Sequence, residues 1–75
     1  MNANLIAELV KIGVKPNQVA KDIAKVLDIS EKSARNKINE KTDWTVPEAV
    51  KINDHYFNGG MSIPYLFESN NHPAA

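Results

Sequence analysis

Apolar residues recur along this chain at helical spacing, in short runs broken by turn-forming residues, and predict five short helices. Leu5, Ile6, Leu9, Val10 and Gly13 fall at i, i+1, i+4, i+5 and i+8, one stripe of an amphipathic helix over Asn4–Gly13. Asn2 or Asn4 can cap that helix, and Gly13 can stop it. Pro16 suits the first turn of a second helix, where its missing N–H costs nothing. Val19, Ile23, Val26 and Leu27 carry that helix to Leu27, with Ala20 and Ala24 keeping one side thin. After an Asp28–Ile29 turn, Ser30 is a good N-cap for a third helix, Glu31–Asn39, and Glu31 complements its dipole. Thr45-Val46-Pro47-Glu48 reads as a capping box opening a fourth helix, which holds Ala49, Val50, Ile52, Tyr56 and Phe57 and stops at Asn58-Gly59-Gly60. Ser62 can cap a last short helix, Ile63–Glu68.

The expected fold is therefore all-α, a compact bundle of five short helices. Its core should draw on Leu5, Leu9, Val19, Ile23, Leu27, Ile29, Ile38, Val46, Ile52, Tyr56, Leu66 and Phe67. Residues 1–69 should form one domain, with 70–75 a flexible, polar C-terminal tail. No internal repeat or low-complexity tract is present.

The third helix departs from the others. From Glu31 to Glu40 its only apolar residues are Ala34 and Ile38, so most of its surface must be offered to something polar. Residues 20–39 as a whole match a helix-turn-helix unit. Ala24 supplies the small residue needed where two helix backbones approach, and Ile23, Leu27, Ile29, Ala34 and Ile38 serve as anchors. Asp28 stands at the turn position where Gly is common; Asp reaches the left-handed conformation at greater cost than Gly.

With Ala34 and Ile38 inward, a step of about 100° per residue turns Lys32, Asn36 and Asn39 almost directly outward. Ser33 and Arg35 flank them, and Glu31 lies at the exposed N-terminal end. Lys and Arg can donate to guanine, Asn can bond adenine bidentately, and Glu can accept from cytosine. Lys21, Lys37, Lys41 and Thr42 lie around the rim and suit phosphate contacts, and Ser30 sits at the helix entrance. Simpler roles stand beside these: Glu31 serving the helix dipole, Asn39 capping the helix C-terminus, Trp44 packing in the core, and the lysines forming solvated surface.

Composition changes this picture modestly. The 75 residues make one domain and contain no cysteine, so no disulfide or thiolate metal site supplements the core. Net charge is zero, unusual for a nucleic-acid binder. Its distribution is uneven. Residues 21–41 carry Lys21, Lys25, Lys32, Arg35, Lys37 and Lys41 against Asp22, Asp28, Glu31 and Glu40, a net +2. Residues 42–75 carry Lys51 against Asp43, Glu48, Asp54 and Glu68, a net −3. His55 and His72 are isolated, and no nucleophile has a His and acidic partner nearby; there is no phosphate-binding Gly-rich loop. Nothing suggests an enzyme or a cofactor. No apolar run approaches the roughly 18 residues of a membrane span, and the N-terminus lacks a signal peptide's basic flank, so the expected location is cytoplasmic, in a bacterial host cell.

The run Ile29-Ser30-Glu31-Lys32-Ser33-Ala34-Arg35-Asn36-Lys37-Ile38-Asn39, followed by Lys41-Thr42-Asp43-Trp44-Thr45, resembles the Cro/C1-type, lambda-repressor-like helix-turn-helix family, especially short phage and prophage regulators of Gram-positive bacteria. The closing Met61–Glu68 segment is similar to the ending of such proteins, and the likeness spans roughly residues 4–68. It implies a sequence-specific transcriptional regulator, of the kind that acts in a phage lysis–lysogeny switch. Such a protein would bind operator DNA as a dimer, its two reading helices about 34 Å apart in successive major-groove turns. The apolar segment Ile63–Phe67 is a candidate dimer interface, with core packing the competing use. The chain departs from the family where Glu40 replaces the usual Gly and Ala20 replaces a phosphate-binding Gln, leaving Gln18 or Lys21 to make that contact. It also carries about one extra helical turn between Gly13 and Ala24. An alternative of another class is an antirepressor or modulator that uses the same fold to bind a partner repressor.

Overall fold

The computed structural model describes residues 2–68. Its elements in chain order are α1 (Ala3–Lys11), a single 3-10 turn (Pro16–Gln18), α2 (Val19–Leu27), α3 (Glu31–Ile38), α4 (Val46–Phe57) and α5 (Ile63–Leu66). Among the described residues there are five α-helices and no strand. The tail expected at 70–75 lies outside the described residues.

Local chemistry sets most boundaries. Ser30 caps α3 by accepting the Ser33 N–H at 3.0 Å. Thr45 and Glu48 form the reciprocal capping box at the start of α4, and Ser62 accepts the Tyr65 N–H at the start of α5. Three helices end at left-handed residues: Asp28 closes α2 (φ 57°), Asn58 closes α4 (φ 52°), and Glu40 (φ 64°) follows α3 after Asn39. The Asp28 turn thus takes the left-handed form its position demanded.

Several expected ends shift. The first turn of the second helix is 3-10, its Gln18 N–H reaching back to the Lys15 carbonyl at 2.9 Å. α1 starts one residue earlier and ends at Lys11; Gly13 (φ 101°) turns the chain away. α3 stops at Ile38 with Asn39 as its C-cap, and α5 stops at Leu66.

One core holds the helices together. Leu5, Leu9, Val19, Ile23, Ala24, Ala34, Ile38, Ile52 and Leu66 are buried in it, with Leu27, Ile29, Trp44, Tyr56 and Phe67 packed half-buried around them. α2 pairs most extensively with α3 and next with α4, while α5 bridges α1 and α4. Alanines at 24 and 34 keep the α2 and α3 backbones close. Val46 does not join this core: it is 74% exposed. Helical spacing puts it on the side of Ala49 and Asn53, but it lies a turn ahead of them, beyond the covering elements. The segment Ile63–Phe67 works inward, with Leu66 fully buried and the Phe67 ring edge-on to Trp44 at 5.2 Å. Leu66 thus serves the core, while Tyr65 stays exposed.

Two buried asparagines tie the periphery together. Asn53 donates to the Met61 carbonyl (2.9 Å) and accepts the Met61 N–H (3.2 Å), so its amide closes the α4–α5 turn as a backbone pair would. Asn2, 2% exposed, gathers the ends of α3 and α5, as set out below. Burying a primary amide is tolerable only with its bonds made, and both are satisfied.

Candidate nucleic-acid interface

α3 is held at one end and open at the other. Its last four residues carry carbonyls that lack intrahelical partners by construction. Here every one is satisfied: Arg35 O accepts the Asn39 N–H, Asn36 O the Lys41 N–H, Lys37 O the Glu40 N–H and Ile38 O the Asn2 N–H, at 2.8–3.1 Å. The left-handed Glu40 makes the return possible, bringing residues 41 and 42 back over the helix end. Asn36 O also receives the Thr42 N–H at 3.4 Å. Glu40 therefore adopts the conformation for which Gly was expected, with a side chain attached.

The outward face is polar and accessible. Lys32, Ser33, Arg35 and Asn39 are exposed on or next to α3, and Lys41 and Thr42 are exposed just beyond it. Glu31 is exposed too, and its carboxylate is paired with the Arg35 guanidinium one turn away. The Ser30 hydroxyl donates to that of Ser33 at 2.9 Å. On α2, Lys21 is exposed, and so is Lys25 one turn on, a position that i, i+4 spacing alone would have added to the basic row.

Two expectations change. Lys37 was placed on the rim for phosphate, yet its side chain is only 15% exposed and points along the protein's own body. Its ammonium pairs with Glu48 at 3.0 Å and donates to the Asp43 carbonyl at 3.0 Å, with the Trp44 ring centroid 6.0 Å away. The capping box causes this, since it fixes the Glu48 carboxylate beside the end of α3. Burial works to raise the Glu48 pKa, but the Thr45 N–H and the Lys37 ammonium outweigh it and hold the carboxyl below its usual range. Asn36 was expected to face straight out and is instead half-buried, because the returning 40–42 segment covers part of it.

Trp44 packs inward against the core, as expected. Its indole N–H donates to the Asn2 side-chain oxygen at 2.8 Å, and the Asn2 amide N–H2 reaches the Glu68 carbonyl at 3.4 Å. Asn2 and Trp44, with Lys37, Glu40, Thr42, Asp43 and Phe67, line an open groove that holds one lysine and two acidic residues, so its lining does not favour an anion. Sequence spacing had offered Asn2 only as a cap for α1; its side chain makes no such bond.

A second pair ties α2 to α4 behind this surface: the Tyr56 hydroxyl donates to Asp22 at 2.7 Å. Burial first, and then the Asp22 carboxylate, push the Tyr56 pKa up. Among the described residues no group of His, Asp or Glu is placed to hold a metal ion, and no helix is long and apolar enough to cross a membrane.

Comparison with models of known protein families, with curated proteins and with solved structures yields no match to this chain.

Proposed function

We propose that this protein is a sequence-specific DNA-binding regulator in which α2, the Asp28 turn and α3 form a helix-turn-helix and α3 enters the major groove. The observation that carries this reading is the construction of α3. The helix buries only Ala34 and Ile38, is supported along α2, and leaves Lys32, Arg35 and Asn39 exposed among the described residues. Those side-chain types read base edges, while Lys21, Lys25, Lys41 and Thr42 suit phosphate. Ser30 and Ser33 lie at the groove-facing entrance, Asn36 contributes from a half-buried position, and Glu31 orients Arg35. The reading agrees with the resemblance to lambda-repressor-like regulators, in which such a domain represses from an operator as a dimer.

One observation favours the second reading, a modulator that binds a partner repressor. Two of the cations on α3 are already paired within the chain, Arg35 with Glu31 and Lys37 with Glu48. Salt separates the two. The DNA reading expects wild-type protein to enrich particular sequences from a random duplex pool. It also expects log K to fall against log salt concentration by about 0.9 per phosphate contacted. Absence of any retained duplex even at low salt would reject it and leave the modulator.

A further inference from the structure

The structure assigns Asn2 and Trp44 a joint role as positioning residues for recognition: their part-buried hydrogen bond fixes the C-terminal end of α3, and so the angle at which its outer face is presented. This rests on the DNA reading above. The geometry is specific. The Asn2 main-chain N–H donates to the carbonyl of Ile38, the last residue of α3, at 3.0 Å. Its side-chain oxygen takes the Trp44 indole N–H at 2.8 Å, and its amide N–H2 reaches the Glu68 carbonyl at 3.4 Å. One residue thus joins the exit of α3, the α3–α4 loop and the chain after α5, across sequence separations of 36, 42 and 66 positions. Asn2 itself is almost fully enclosed. Loss of the Trp44 partner would strand a buried polar atom and free the loop that returns over α3.

A residue that merely stabilised the fold would lower the melting temperature and leave affinity unchanged in molecules that remain folded. A positioning residue changes affinity there too, because bases are read only within a narrow range of position and angle. Asn2→Ala removes the acceptor. Trp44→Phe removes the donor and keeps a ring against Phe67, so the two cut the same bond from opposite sides.

The test uses the full chain and a duplex of about 30 base pairs, roughly three helical turns, selected from a random pool by the wild-type protein. Affinities are read at a temperature where circular dichroism shows every variant fully folded. Each single variant should bind about tenfold more weakly, with the wild-type salt slope, since the phosphate contacts are retained. The double variant should lose no more than the weaker single one. In Asn2→Ala the emission of the chain's single tryptophan should shift as its hydrogen bond is lost. Folded variants that bind the selected duplex as tightly as wild type would overturn the positioning role while leaving the DNA reading intact. Losses that simply add in the double variant would overturn the shared bond as its basis. If the wild type selects no duplex, the DNA reading fails and this inference with it.

Discussion

The two ends of α3, seven positions apart, are built on different terms. The N-terminal end is self-contained: Ser30 caps its own helix, Glu31 pairs with Arg35 one turn on, and neither contact reaches another element. The C-terminal end is tied to everything near it. Its carbonyls are met by residues 39–41 and by Asn2, its lysine is bound to α4 through Glu48, and the Trp44 loop folds beside it. Side chains needed by an external ligand must stay at the surface in water, whereas a helix presented at a set angle needs long-range contacts. This chain meets both needs by giving one end to each.

Substitutions at the two ends should therefore read out differently. The largest effect is expected at the fixed end. Ile38→Ala removes a buried side chain where α3 meets the core and should cost about 2–4 kcal/mol of stability. In a chain of this size that lowers Tm by on the order of 10 °C or more, measurable by thermal circular dichroism. A Tm change under roughly 2 °C would show that the end of α3 is not held as described. At the open end, Lys32→Ala should change stability by less than about 0.5 kcal/mol. It should weaken binding to a selected duplex by roughly 1–3 kcal/mol, as should Asn36→Ala. Unchanged affinity in both, by gel-shift titration, would remove the reading face from α3.

The same contrast explains what could be read in advance. Caps are local chemistry, a hydroxyl two or three residues from an N–H, so Ser30, Thr45 with Glu48, and Ser62 were legible as helix starts. The sparse apolar seam of α3 was equally legible, because Ala34 and Ile38 need no partner to reveal their spacing. What failed was whatever depends on distant residues. The fate of Lys37 is decided by Glu48, eleven positions on, and the role of Asn2 by Trp44, 42 positions on. Val46 carried the right spacing for the core, but how far the neighbouring elements extend is not written in its own helix. Asn53 is illegible in its own helix, because a polar residue within an apolar stripe reads as an interruption; the Met61 backbone it bonds lies eight positions on.

A smaller effect should follow from acid. The depressed Glu48 pKa means that its ionised form is favoured in the folded chain. That contribution is present above the unfolded value, about 4.3, and is lost as pH falls through the lower folded value. Glu48→Gln keeps an acceptor for the Thr45 N–H but removes the charge facing Lys37. It should reduce stability at neutral pH by up to about 1 kcal/mol and flatten the acid limb of the stability curve. Urea midpoints at neutral pH and near pH 3.5 compare the two. An acid limb as steep in the variant as in the wild type would assign the slope to other carboxylates.

The smallest expected change lies in the turn ahead of the open end. Asp28 holds φ 57°, a conformation that costs an L-residue about 1–2 kcal/mol and Asp somewhat less. Glycine would remove that cost but add backbone freedom to the unfolded chain, worth roughly 0.5–1 kcal/mol in the opposite direction. The difference leaves Asp28→Gly more stable by about 0.5 kcal/mol, or some 2–4 °C in Tm. Asp28→Ala, which gains neither freedom nor polarity, should be slightly less stable than wild type. The order Gly, Asp, Ala is diagnostic because it follows from backbone conformation alone and is independent of any ligand. Alanine ranking first would mean that the turn between α2 and α3 relaxes away from the left-handed form, and the presentation of α3 would then have to rest on its fixed end.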